Sequence, residues 1–356
     1  MGAAAKRDFM QFIHMADVHL GAVPDQGCPW SASREKEIWK TFVRSVQLAK
    51  KEEVELLLIA GDLFHRQPLL RQLREVNELF ASIAPVQVVF MAGNHDYLKP
   101  YSAYRKISWA SNVHMFFKEE PEVIRLEELN TWVYGLSYEH QEIRSPLYAA
   151  IRPNGQPGYH ILLAHGGDEK HIPLKKEELE GFDYVALGHI HKPQALVPHR
   201  IVYAGALEPL DRNDEGKHGF VCGRLEGKIC RTGFIPAASR SYLTLQITVH
   251  SQTTQLALEQ KVREGIRQKG ESNLFRILIK GFRNPDMEFD DEPLYHLGNI
   301  TQVRDETRPC YDVEKLKEQQ KGTLIGDYIR CFEEKNSPME QKALYYGVQA
   351  LMETKQ

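Results

Sequence analysis

Five short clusters carry side chains able to hold a divalent metal: Asp17 and His19 in DVHLG, Asp62 in GDLFHR, Asn94 in GNHD, His165 in AHG, and His189 and His191 in GHIH. Asp17/His19 and His189/His191 are each two residues apart, so in extended chain both members of a pair project to one face. Two carboxylates, an amide oxygen and several imidazoles are more than one tetrahedral ion needs. The set suffices for two divalent ions, which in two-metal hydrolases sit roughly 3.5–4 Å apart and activate water for in-line displacement. Asp62 is the natural bridge, because a carboxylate can share its charge between two cations.

Such distant residues meet only if the elements before them end at one place. Apolar runs at 9–15, 56–60, 86–91, 160–164 and 184–187 read as strands, and each is followed directly by one of the five clusters. In an open α/β sheet, sites gather at the carboxyl ends of the strands. Helical spacing over 34–51 and 69–83 supplies covering helices, and further strands are expected at 113–117, 132–134 and 201–203. A hairpin of 220–225 and 229–232, turning at Glu226-Gly227, closes a layered α/β domain over 9–236. Beyond it, alternation at Leu243, Leu245, Ile247 and Val249, a helix near 253–269 and alternation at Phe275, Ile277 and Ile279 predict a small α/β domain over 240–306. The segment 310–356 reads as a helical tail. Ser337-Pro338-Met339-Glu340 is a capping box with proline at the first helical position, and with 323–335 it predicts a helix pair too small to bury its own apolar faces.

The chain's 356 residues, 42% apolar and 26% charged, describe an ordinary globular protein with room for more than one domain. No stretch has the length of a membrane span. The opening MGAAAKRDFMQF lacks the apolar core of a secretory leader, and the five scattered cysteines form no CxxC, so they read as small apolar residues in a reducing, cytoplasmic setting. A net charge of −3 argues against coating nucleic acid by bulk charge, but leaves room for a nuclease whose positive charge is local or metal-borne.

DVHLG, GDLFHR, GNHD, AHG and GHIH, in that order, resemble the motifs of the calcineurin-like metallophosphoesterases. The resemblance covers about residues 9–210 and implies a two-layered β-sandwich flanked by helices, with a dinuclear centre at one end. It implies that Asp17, His19 and His191 hold one ion, that Asn94, His165 and His189 hold the other, and that Asp62 bridges. The ions are expected to be Mn²⁺, with Mg²⁺, Fe or Zn²⁺ as alternatives. His95 would protonate the leaving oxygen from outside the ligand set, and Asp96 would orient His95 through a hydrogen bond.

GDLFH with DVHLG and GHIHKPQ resembles more narrowly the SbcD-type branch, the nuclease subunits of double-strand-break repair complexes. In that branch the histidine three residues after the bridging aspartate, here His65, contacts the scissile phosphate. The small α/β domain would be a capping domain that guides DNA, and the tail would dock on an SbcC-like coiled-coil ATPase. The 69–83 helix and residues 101–111 would form a homodimer interface. Ala206 stands where the branch commonly has serine, a departure that marks a variant subgroup.

The expected activity is a Mn²⁺-dependent DNA exonuclease, with single-strand endonuclease activity as an accompaniment. Two other readings stay open: a phosphodiesterase for nucleotides or other small diesters, and a catalytically weak scaffold subunit of an ATPase complex. Outside the motifs, His14 reads as a core histidine, and His171, His199 and His218 read as surface residues near the site. Arg66, Arg71 and Arg74 suit either a phosphate backbone or an exposed helix face. Tyr97, Tyr101 and Tyr104 suit packing better than base stacking.

Overall fold

The computed structural model describes residues 9–335 and 337–354. Residues 1–8, on which the reading of the opening segment rests, lie outside the described residues. Two compact units divide at Tyr242 and Leu243.

In chain order the first unit begins with β1 (Phe9–Met15), α1 (Ser31–Lys51), β2 (Leu56–Ala60), α2 (Leu70–Ser82), β3 (Gln87–Met91) and β4 (Val113–Met115). It continues with β5 (Glu122–Leu126), β6 (Thr131–Gly135), β7 (Tyr159–His165), β8 (Tyr184–Gly188), β9 (Gln194–Val197) and β10 (Ile201–Tyr203). It returns through the hairpin β11 (Gly219–Glu226) and β12 (Ile229–Pro236). These strands form two six-stranded sheets, ordered β12-β11-β1-β2-β3-β4 and β5-β6-β7-β8-β10-β9.

Alternate residues of each central strand serve different cores, which is why these strands read as unbroken apolar runs. Phe12, Leu56, Leu58, Val89 and Met91 face Val133, Ile161, Leu163, Tyr184 and Ala186 between the sheets. Ile13, Leu57, Ile59, Val88 and Phe90 face outward to Ile38, Phe42 and Val46 of α1 and Leu73, Val76 and Phe80 of α2. Each such residue taken fully out of water contributes roughly 1.5–3 kcal/mol. The second sheet's outer face, with Tyr134, Leu162, Val185 and Leu187, is covered by loops carrying Tyr148, Ile151, Leu179 and Phe182. The expected β-sandwich flanked by helices is therefore what the chain forms.

β1, β2, β3 and β4 run parallel, as do β6, β7 and β8. Met15 pairs with Ile59, Ala60 with Met91, and His165 with Gly188, so the metal-type clusters leave their sheets at matching heights.

In the second unit, β13 (Tyr242–Val249), α3 (Gln255–Lys269), β14 (Leu274–Arg283), α4 (Glu292–Tyr295) and β15 (Ile300–Pro309) make a three-stranded sheet ordered β13-β14-β15. Thr254 caps α3 through its side-chain oxygen, and Leu258, Val262 and Ile266 pack on the sheet. Then come α5 (Val313–Gln319), α6 (Leu324–Arg330) and α7 (Pro338–Glu353). Ser337 forms the expected reciprocal capping box with Glu340. The helices bury Ile325, Ile329, Leu344 and Val348 while Leu324, Met339 and Tyr346 stay exposed. No helix among the described residues is long and apolar enough to cross a membrane. All five cysteines are unpaired; Cys310 and Cys331 are exposed and so do not serve as small core residues.

Candidate metal centre

All five clusters reach one rim of the sandwich, and backbone bonds lock them there. Asp17 N donates to the Gly61 carbonyl at 3.2 Å and His19 N to the Asp62 carbonyl at 3.0 Å. Across the two sheets, His189 N donates to the Asp17 carboxylate at 3.0 Å, and His165 Nδ1 meets the Ala60 carbonyl at 2.9 Å. Asp17, His19, Asp62 and His189 adopt left-handed backbone angles, with φ of 49°, 52°, 50° and 91°. That conformation is unfavourable for residues with a side chain and concentrates at functional sites. Two glycines make room: a Cβ on Gly93 would strike the Asp62 carboxylate, and one on Gly188 the Ala60 carbonyl oxygen.

The donor atoms gather into two groups that share Asp62. His19 Nε2 lies 3.3 Å from His191 Nε2 and 3.7 Å from Asp62 Oδ2, and Asp17 joins these imidazoles within 4.8 Å. Asn94 Oδ1 lies 2.9 Å from His165 Nε2 and 3.3 Å from His189 Nδ1, while His165 Nε2 is 3.5 Å from Asp62 Oδ2. Nitrogens about 2.1 Å from one ion at a tetrahedral angle would lie about 3.4 Å apart, close to the His19–His191 spacing. The buried, mixed nitrogen and oxygen donor set thus fits divalent metal.

Electrostatics points the same way. Burial, reinforced by Asp62, pushes the Asp17 carboxyl up to about 6. Burial would also raise Asp62, but His165, His19 and His95 outweigh it and hold this carboxyl well below the usual range. His165 and His191 are pushed up to about 9: burial works against the charge, but Asp62 and Asp17 hold the proton on His165, and Asp214 and Asp17 hold it on His191. Burial carries His19 well below its ordinary value. In the metal-free protein, protons on His165 and His191 therefore stand in for cationic charge between two buried carboxylates. A metal ligand must give up that proton. Below about 9, Mn²⁺ affinity should rise with pH, by up to about tenfold per unit for each proton displaced, and level off above it. Calorimetric titrations at pH 6, 7 and 8 in buffers of different ionisation heat should show proton release; an affinity independent of pH would contradict this charge balance.

His65 and His95 occupy the open side. Their rings stack at 5.1 Å with a 29° tilt, and both lie edge-on to His19, with centroids 5.4 and 4.8 Å from it. His95 is exposed and His65 half-buried. His95 N donates to Asp62 Oδ1 at 2.9 Å, and its Nδ1 faces the His65 carbonyl at 3.2 Å. The expectation that Asp96 orients His95 by a hydrogen bond is corrected. Buried Asp96 accepts from Gly93 N, Phe64 N and Tyr104 Oη, so it ties the GNHD turn to the segment after Asp62 and supports His95 through the backbone.

Among the remaining expectations, His14 is a core residue bonded to Tyr184 Oη at 2.9 Å. His199 is exposed, but His218 is buried, with its ring between the carbonyls of Ala206 and Asp214; the surface reading fails for it because both ring nitrogens find backbone partners. His171 is half-buried beside His189. Arg66, Arg71 and Arg74 are exposed, Tyr104 is buried and Tyr101 is exposed.

Sequence reasoning missed Asp168 and Asp214. Asp168 Oδ2 accepts from His189 Nε2 at 2.7 Å, and Asp214 Oδ2 meets His191 Nδ1 at 3.1 Å. Each carboxylate fixes the tautomer and aim of an imidazole whose other nitrogen turns inward. Burial would raise Asp168, but its bonds to His189 and His171 hold it well below the usual range. The one available signal was acidity just after AHG and between the GHIH segment and β11.

A profile of the family described as calcineurin-like phosphoesterase matches residues 10–193. The chain is 27% identical over 298 residues to an uncharacterized metallophosphoesterase, YhaO, of Bacillus subtilis, covering 76% of this chain and 72% of that protein. It is 28% identical over 238 residues to the DNA double-strand break repair protein Mre11 of Methanopyrus kandleri, covering 59% of this chain and 52%, about half the length, of that relative. The Mre11 protein of Sulfurisphaera tokodaii is 26% identical over 297 residues, covering 76% of this chain and 73% of that protein.

Proposed function

The chain belongs to the calcineurin-like phosphoesterase family, a metal-dependent phosphodiester hydrolase by that membership, and from that premise we propose that it is a Mn²⁺-dependent DNA exonuclease of the SbcD type. Asp17, His19 and His191 would hold one ion, Asn94, His165 and His189 the other, with Asp62 shared between them. When bound, the pair supplies an activated water at neutral pH and positive charge against the phosphoryl oxygens.

The protein's own groups do the rest. His95 Nδ1 donates to the His65 carbonyl, so when the ring is the doubly protonated imidazolium its Nε2–H is free to pass to the departing sugar oxygen, leaving a neutral ring. Asp96 keeps the GNHD turn fixed, and Asp168 and Asp214 keep His189 and His191 facing inward. The observation that carries the nuclease reading is the stacked His65–His95 pair at the open side of the ligand cluster. A monoester needs one proton donor at its leaving oxygen. A second imidazole suits a diester held between two nucleosides, which must be gripped as well as cut. Repair proteins named Mre11 among the relatives support the same substrate.

The small sheet of the second unit would guide DNA, and the exposed Leu324, Met339 and Tyr346 suit docking to a coiled-coil ATPase. The test is an end-labelled duplex incubated with purified protein in Mn²⁺, with chelator as control, for the full chain and for a variant lacking 323–356. Shortening of the duplex by both, with capture of the ATPase by the full chain alone, is expected. Turnover of cyclic or dinucleotides with an untouched duplex would overturn the DNA reading, and capture by the shortened chain would overturn the docking role.

A further inference from the structure

A third group of metal-type ligands lies just outside the two described above. Asp168 Oδ1 is 2.9 Å from His171 Nδ1, and Asp168 Oδ2 is 2.7 Å from His189 Nε2. The two imidazole rings are 4.5 Å apart, and one donor atom from each of the three residues falls within 4.8 Å of the others. The carboxylate is preset, because its Oδ1 also accepts from the backbone of Lys170 at 2.8 Å and of His171 at 2.9 Å. Solvent reaches the group without passing the inner residues: the Asp168 side chain is 47% exposed, against 17% for His171 and 14% for His189.

We infer that Asp168, His171 and the outer nitrogen of His189 form a regulatory site for a Zn²⁺-like cation, whose occupancy antagonises the catalytic centre by claiming His189. Two imidazoles, one carboxylate and an open fourth position are a zinc donor set. Mn²⁺ binds such nitrogen-rich sites more weakly than Zn²⁺ does, so millimolar Mn²⁺ need not fill it. The antagonism follows from proton bookkeeping on one ring. A neutral imidazole has one lone pair and one N–H. With Nε2–H donated to Asp168, the lone pair sits on Nδ1, which faces Asn94 Oδ1 at 3.3 Å and the inner cluster. If Nε2 gives its lone pair to an outer ion, the proton must sit on Nδ1, and His189 is lost to the inner set. No proton is gained or lost overall; the tautomer changes.

The antagonism rests on the inner ligand assignment proposed above, whereas the outer site itself does not. The experiment therefore reads both. Mn²⁺-loaded full-length protein is titrated with Zn²⁺ against a chromophoric chelator, free Mn²⁺ is followed by its paramagnetic resonance, and hydrolysis of a small chromogenic diester is compared with each protein's own zinc-free rate. The wild type should take up one His171-dependent zinc per chain beyond any that exchanges into the inner set, release Mn²⁺ and lose most of its turnover. His171→Ala should weaken that zinc uptake at least tenfold and raise the zinc needed for half inhibition in parallel. Circular dichroism confirms that the variant is folded, and Asp168→Asn serves as a second variant for the zinc count alone. Zinc uptake unchanged in both variants, or absent from the wild type, overturns the site. Zinc uptake that needs His171 without Mn²⁺ release or inhibition overturns the antagonism. A Mn²⁺-loaded protein with no hydrolysis at all counts against the proposed function, while the zinc count still decides the outer site.

Discussion

Replacing Asp62 by asparagine should weaken the hold on both ions, leaving one or none per chain, and lower phosphodiester hydrolysis by about 10³–10⁴-fold. Asp62 Oδ2 stands 3.7 Å from His19 Nε2 and 3.5 Å from His165 Nε2, so it is placed between both donor groups. A neutral amide of the same shape keeps an acceptor for His95 N but removes the negative charge that the two cations would share. Loss of several kcal/mol of charge stabilisation, at about 1.4 kcal/mol per factor of ten, gives the stated range. Metal analysis after desalting should find two ions per wild-type chain and one or none in the variant. Thermal melting in chelator should fall below that of wild type, because the amide no longer balances the buried charge that Asp62 holds on His165. Retention of both ions with normal turnover would show that Asp62 bridges nothing.

His95→Asn should act on chemistry alone. Its ring is exposed, it stacks on His65, and its Nδ1 is engaged by the His65 carbonyl. Loss of a general acid typically costs 10²–10⁴-fold. The loss should be largest for DNA, whose departing alkoxide needs a proton, and much smaller for a diester with an aryl leaving group that departs readily as an anion. Two ions per chain should remain. The decisive readout is that pair of results, because His19, His65 and His95 also approach one another within 4.8 Å and could share an ion. Metal loss on substitution would make His95 a ligand instead.

The candidate ligand residues are legible in the chain because each stands at the end of, or just behind, a strand buried on both faces, and such strands announce themselves as apolar runs. What stayed hidden depends on partners far away in sequence. Asp168 and Asp214 look like ordinary loop acids until the fold brings His189 and His191 against them. His218 gives no sign that two carbonyls await its ring. Asp96 sits beside His95 in sequence, yet its side chain turns into the fold toward Tyr104 and Phe64.

Among strands, β5, β9 and β15 escaped because they lie at sheet edges: β9 and much of β15 are solvated, and β5 offers only Ile124 and Leu126 to the core, too short an alternation to read as a strand. α5 is short and buries no residue fully, which leaves it without a periodic signature. The central strands and long helices were legible for the opposite reason: α1 runs Ser31–Lys51 and α2 Leu70–Ser82, each with one face packed on the first sheet.

One comparison bears most directly on the claim that this rim cuts DNA: wild type against His65→Ala in Mn²⁺, on an end-labelled duplex and on a small chromogenic diester. His65 stacks on His95 and lies 3.4 Å from His19 between ring nitrogens, at the place where a bound backbone would be gripped. The expected result is that wild type degrades the duplex, while His65→Ala loses that activity by about 100-fold or more, a few kcal/mol of positioning, and keeps most of its turnover of the small diester. Wild type that cleaves only the small diester, with His65 making no difference, would contradict the nuclease assignment and turn the search to nucleotides.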